Sequence, residues 1–219
     1  MLRPFTYDPP ATPVLPVIHA DDAILVLDKP AGLLTVPGKD PSLADCLESR
    51  AQQDYPSARI VHRLDKDTSG VIVLGLTAKA HAHLGLQFEK RQTSKTYVAR
   101  VAGRLAPETG IVDAPITTDW PNRPMQHIDR INGRPAVTRW TVETYEHNAT
   151  RVRLVPETGR SHQLRVHMHH LGHAILGDNL YAGDADLNAA PRLQLHALSL
   201  GFRHPETGVN CAFEAPCPF

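Results

Sequence analysis

Short, nearly unbroken apolar runs alternate along this chain with stretches of helical spacing. Ile24 to Asp28 reads as a buried strand, stopped by the turn Lys29-Pro30-Ala31-Gly32. Ser42 to Asp54 predicts a helix, with Ser42 as its cap and Leu43, Leu47 and Ala51 on one face. Gly70 to Leu76 repeats the buried-strand pattern. Ala78 to Arg91 repeats the helical one, with Ala80, Leu84 and Phe88 along one side. Lys95 to Val101 alternates as a strand. Tyr97, Ala99 and Val101 share one face, and Thr96, Val98 and Arg100 the other.

Residues 105–134 lose the period and carry Pro107, Pro115, Pro121 and Pro124. They predict a long irregular connection, of a length that usually marks a functional or substrate-covering loop. Ala136 to Tyr145 and Thr150 to Val155 predict paired strands joined at Glu146-His147-Asn148. The turn Pro156-Glu157-Thr158-Gly159 leads into a predicted helix from Ser161 to Leu171. Leu193 to Leu200 and Cys211 to Phe213 read as late strands around the turn His204-Pro205-Glu206-Thr207-Gly208. No repeat or low-complexity linker interrupts the pattern. Strands outnumber helices and several are hairpin-linked. The expected class is α+β, a single domain on a mixed, largely antiparallel sheet with flanking helices.

At 219 residues the chain can bury a sizeable core, and 42% hydrophobic residues is ordinary for a globular protein. No apolar run approaches the ~20 residues that a membrane-spanning helix needs. Met1 to Pro16 is proline-rich and lacks a signal-peptide core. It predicts a loose arm, residues 1–20, ahead of a body spanning 21–219, in a cytoplasmic protein. Cys46, Cys211 and Cys217 are odd in number and match no zinc spacing, which fits reduced thiols. Net charge is zero, but its distribution is uneven. Residues 1–54 hold four basic and eight acidic side chains, 55–104 hold nine and three, and 105–219 hold ten and twelve. Screening over ~8–10 Å lets a local basic surface bind phosphates on a neutral protein. The charge pattern fits a solvated helix face equally well.

The basic stretch contains His62-Arg63-Leu64-Asp65-Lys66-Asp67-Thr68-Ser69-Gly70, a carboxylate on a loop that feeds the apolar run 71–74. Asp65 suits a nucleophile, a general base or a metal ligand, or a structural aspartate that caps a turn or pairs with Arg63, and the residues alone leave these open. Gly159-Arg160-Ser161-His162-Gln163-Leu164-Arg165-Val166-His167 places amides and two arginines at one helix end, a setting for an anion or for a buried carboxylate. His169 and His173 lie one turn apart, but no acidic residue joins them and no His-Glu-x-x-His pattern occurs. Tyr97 suits core packing or stacking on a base. Ser69 does not sit in a nucleophile elbow, and the zinc-deaminase signature is absent.

Taken in order, these segments resemble the RluA family of pseudouridine synthases. The resemblance runs from Asp28-Lys29-Pro30-Ala31-Gly32-Leu33 through His62-Arg63-Leu64-Asp65, Thr68-Ser69-Gly70, Gln87-Phe88, Arg91, Lys95 and Tyr97. It continues through Gly159 to His167 and Leu195-His196-Ala197. It implies the pseudouridine synthase fold and an isomerase that needs no cofactor and no metal. Asp65 is then the essential catalytic residue, and Arg63 enters the RNA where the target nucleotide leaves the stack. Tyr97 packs on the flipped base and takes part in proton transfer. Arg165 pairs with the aspartate, and Leu164 helps wall the pocket. His62 and Arg160 join the RNA-binding set. Asp119-Trp120-Pro121-Asn122-Arg123-Pro124 resembles the dual-specificity branch, which modifies an anticodon-loop uridine in tRNA and a hairpin-loop uridine in 23S rRNA. With 23 residues ahead of the first expected strand, the S4 domain of many relatives is expected to be missing. A monomer is expected.

Overall fold

The computed structural model describes residues 7–11 and 15–219, and their contacts divide them into two compact units. One unit comprises the described residues up to Lys95 together with His196–Phe219, and the other comprises Thr96–Leu195. The expected α+β class with largely antiparallel strands is observed.

In the first unit, β1 (Val17–Ala20), β2 (Ile24–Lys29) and β4 (Ser69–Gly75) form an antiparallel series, with the two-residue β3 (Arg59–Ile60) beside the end of β4. β11 (Leu195–Arg203) runs parallel to β4, with His196 opposite Ser69 and Ala197 opposite Gly70, and β12 (Asn210–Glu214) turns back on β11. Every residue of β4 is buried, as a strand covered on both faces requires. Gly70 allows the parallel pairing. Its φ is +115°, and a Cβ there would stand 2.2 Å from the carbonyl oxygen of Ala197.

Two helices belong to this unit, α1 (Leu47–Asp54) and α2 (Ala78–Glu89). The helix expected from Ser42 starts later. Ser42 is held in a short 3-10 turn by Asp40, and Cys46 caps α1 in a reciprocal pair with Ser49. α2 ends in a Schellman motif. Gln92 N–H donates to the Gln87 carbonyl, and Arg91 takes the left-handed position, at φ 57°, that glycine usually fills.

Part of the segment expected as a loose arm is structured. Val17–Ala20 is a strand, and the Tyr7 hydroxyl donates to the Asp45 carbonyl while accepting from the Leu34 amide. Residues 1–6 and 12–14 lie outside the described residues.

In the second unit, β5 (Ser94–Ala102), β10 (Ala149–Pro156), β9 (Val137–Tyr145) and β6 (Thr109–Asp113) pair antiparallel in that order. The expected hairpin at residues 146–148 is β9–β10. The irregular connection expected over 105–134 is broken up by three short strands. It contains β6 and a separate hairpin, β7 (Ile116–Thr118) with β8 (Gln126–Ile128). Strands of three to five residues among prolines are too short to show a period, which is why the alternation was invisible. α3 (Gln163–His170) packs on β8 and β9, and α4 (Asp184–Asn188) follows. The core of this unit gathers Ala99, Val101, Trp140, Leu154, Leu164, Met168 and Ile175, with Tyr97 packed against it. The face assigned to Tyr97, Ala99 and Val101 is the face that points into this core.

Candidate active site

The Asp65 loop is held by its carbonyls. Lys29 ends β2 fully buried, and its ammonium donates to the carbonyls of Pro30 (2.8 Å), Leu33 (2.8 Å) and Lys66 (2.9 Å). The Gly32 amide donates to the same Lys66 carbonyl at 2.9 Å, and the Thr35 hydroxyl to the Leu64 carbonyl at 2.7 Å. The carbonyls of the two residues flanking Asp65 are thus held from one side by the end of β2 and the segment after it. From within the loop, the Thr68 amide closes a turn on the Asp65 carbonyl at 3.1 Å. Ser69 then enters β4, where its hydroxyl meets His196 Nδ1 at 2.9 Å. His196 Nε2 lies 3.0 Å from the Ala215 carbonyl, which can only accept, so Nε2 carries the proton and Nδ1 accepts from Ser69. A buried ammonium, two hydroxyls and a histidine therefore preorganise this loop. Asp65 itself is half-buried, and Arg63 is exposed.

His62 begins the loop in a packing role. Its ring stacks on Phe88 with centroids 4.2 Å apart, and Nε2 accepts from the Val73 amide at 3.3 Å. The imidazole thereby continues, on the flank of β4, the hydrogen bonding that β3 begins. Desolvation, then repulsion from Lys95, pushes its pKa down to about 3, so the ring is neutral at physiological pH. Burial lowers Lys95 as well, with the Arg91 guanidinium adding to the effect.

The second unit carries Tyr97, Arg160, Leu164 and Arg165. Along α3 each motif residue has a separate structural duty. Gln163 and His167, one helical turn apart on one face, bolt the helix to β9. The Gln163 amide donates to the Val137 carbonyl and the Thr138 hydroxyl, each at 3.0 Å, while its oxygen accepts from Thr158 at 2.6 Å. His167 bridges Thr138 (2.8 Å) and the Ala114 carbonyl (3.0 Å), and burial pushes its pKa down. Leu164 is a core residue. Arg160 donates through Nε to the Pro135 carbonyl at 3.0 Å.

Arg165, 3% exposed, makes a two-pronged pair with Asp178, Nε to Oδ2 at 2.8 Å and Nη2 to Oδ1 at 2.7 Å, and Nη2 also reaches Asn179. Asp178 is fully buried and caps the Leu180 and Tyr181 amides. Burial pushes its pKa up, but Arg165 and those two amides outweigh burial and hold the carboxyl below the usual range. Sequence reasoning missed Asp178. Its only signal was an acidic residue after a glycine in Gly177-Asp178, which no helical or strand period picks out. The hairpin loop between β7 and β8 exposes Trp120, with the Arg123 guanidinium 3.8 Å over its ring. Of the histidines weighed as metal ligands, His173 is bonded to the Ala102 carbonyl and His169 leans on the Tyr181 ring.

Comparison with known proteins places the chain in a family. The family described as RNA pseudouridylate synthase matches residues 23–170. The dual-specificity RNA pseudouridine synthase RluA of Escherichia coli K12 is 50% identical over 97% of this chain and 98% of its own length. The protein of the same name from Yersinia pestis is 48% identical over 93% and 99%. Among solved structures, human RNA pseudouridylate synthase domain containing 1 superposes with a TM-score of 0.78 at 25% identity, over all of this chain and 87% of that one. Half the residues being shared over nearly the full length of both chains, this chain belongs to the RluA family of pseudouridine synthases.

Proposed function

We propose that this pseudouridine synthase acts on uridines in structured RNA loops, with Asp65 as its catalytic residue and with both a tRNA anticodon loop and a 23S rRNA hairpin among its substrates. The observation that carries the reading is the clamp on the carbonyls of Leu64 and Lys66, which spends a buried ammonium on fixing the backbone around one carboxylate. Such preorganisation suits a group that must meet a reacting atom without further rearrangement. Dual specificity for RNA is in the name that the relatives carry, and the two substrate classes rest on the resemblance of residues 119–124 to the dual-specificity branch.

The reaction breaks the N1–C1′ bond of uridine and forms C5–C1′. N1 gains a proton and C5 gives one up, so nothing is consumed and no cofactor is required. The target base leaves its stack at a cost of a few kcal/mol, less in a loop. Exposed Arg63 fills the vacated space and holds a phosphate. Asp65 attacks C1′ or C6, or takes the C2′ proton, and pairs with Arg165. Tyr97 packs on the base and handles the C5 proton, while Leu164 walls the pocket. Arg160 holds RNA phosphate. The two compact units act together as one catalytic domain in a cytoplasmic monomer. No helix among the described residues is long and apolar enough to cross a membrane.

The test is pseudouridine mapping of tRNA and rRNA after incubation with wild-type and Asp65→Asn protein. Wild type is expected to modify both RNAs. Asp65→Asn is expected to bind RNA and form no product, and turnover near wild type would remove Asp65 from the role.

A further inference from the structure

Tyr181 joins two features that the proposed function uses separately. Its hydroxyl accepts from the Gln126 amide at 2.9 Å, at the first residue of β8, where the exposed Trp120–Arg123 loop returns to the hairpin. The same hydroxyl lies 2.7 Å from His162 Nδ1 at the start of α3. Its ring sits 5.3 Å from the Arg165 guanidinium, and its amide is capped by the Asp178 carboxylate that grips Arg165. Tyr181 is 6% exposed. His162 holds φ 54°, a left-handed position that a non-glycine residue adopts only when its surroundings compel it. The backbone strain of His162 and the burial of a phenol thus converge on one hydrogen bond.

We propose that Tyr181 is a positioning residue that fixes the β7–β8 hairpin to the helix carrying Arg165, so that RNA gripped by the hairpin loop is presented to an Arg165 already oriented. This rests on the reading that the loop faces RNA. The hydroxyl serves the hairpin and the ring serves Arg165, so the two functions separate by substitution.

Tyr181→Phe removes the hydroxyl and keeps the ring. It is expected to raise KM for a uridine-containing RNA stem-loop about tenfold, equal to about 1.4 kcal/mol, with kcat within about twofold of wild type. Amide hydrogen exchange, read without RNA, is expected to rise across residues 116–128 and stay unchanged in β2 and β4. Tyr181→Leu also removes the ring, and kcat then falls as well. His162→Asn, tolerated in the left-handed region, removes the hydroxyl's other partner and is expected to raise KM in the same direction by less. Unchanged KM and unchanged exchange at 116–128 in Tyr181→Phe would overturn the proposal, as would a fall in its kcat alone. Wild-type protein that forms no pseudouridine would sink the assigned function, while the exchange data would still judge the anchor.

Discussion

The Lys29 ammonium donates to the Lys66 carbonyl at 2.9 Å across a loop whose middle is Asp65. The same fully buried ammonium also donates to the carbonyls of Pro30 and Leu33. The charge is used to shape the backbone on either side of the carboxylate.

Lys29→Met keeps the aliphatic stem and deletes the donor, leaving buried carbonyls short of a partner. Each such loss costs about 1–3 kcal/mol, and the Lys66 carbonyl keeps Gly32. We expect a stability loss of roughly 2–4 kcal/mol in denaturant titration. At a temperature where the variant stays folded, kcat should fall by roughly tenfold or more, because small misplacements of a reacting group are costly. A destabilised variant with wild-type kcat would show that the lysine supports folding and leaves Asp65 where it was.

The Arg165–Asp178 pair changes how Arg165 variants are read. Removing one partner of a buried pair costs about 3–5 kcal/mol, so Arg165→Met weakens the fold besides touching chemistry. Asp178→Asn isolates the structural share. The folded-state pKa of Asp178 lies below that of an unfolded carboxyl, near 3.9, so its stabilisation is complete above that pH. It is lost as pH falls through the folded value. Asp178→Asn should therefore be less stable than wild type at pH 7, and the gap should close as pH drops below about 4. A gap that persists unchanged to pH 2 would contradict the assigned direction.

Much of this was legible in the sequence because the signals were local. The buried strands at 24–28 and 70–76 and the amphipathic helix at 78–91 appeared within a residue or two of their observed ends. The motif residues were legible through resemblance, but their duties were not. Nothing in Gly159 to His167 says that Gln163 and His167 bolt a helix to β9, or that Arg165 turns to Asp178, since those partners lie 13 to 53 residues away. β7 and β8 were hidden for the opposite reason. They are three residues each, and proline spacing outweighed any alternation.

His62 offers a test that separates packing from RNA contact. Its folded pKa, about 3, lies below the unfolded value near 6.5, so protonation favours the unfolded chain. Stability should be level above pH 6.5 and fall below it by at most about 1.4 kcal/mol per pH unit. His62→Gln keeps an acceptor for the Val73 amide and removes the titration, so its melting temperature should vary less between pH 7 and 4. RNA affinity at pH 7 should stay within about twofold of wild type if packing is the main duty of His62, and a large loss would support its expected place in the RNA-binding set.

Trp120 is 65% exposed with Arg123 stacked on it, a poor use of a large aromatic unless something covers it. The loop beneath is braced internally. The Asp119 amide donates to the Met125 carbonyl, and the Asn122 side chain donates to Asp119. The loop therefore keeps its form without the indole, and Trp120→Ala should leave the melting temperature unchanged. Stacking on one base is worth about 1–3 kcal/mol, so RNA affinity should fall roughly 5- to 150-fold. At saturating RNA, kcat should be retained, because Trp120 is exposed at a hairpin tip and the loop beneath it is braced without the indole. Unchanged affinity in a stem-loop binding titration would remove this hairpin tip from the RNA interface.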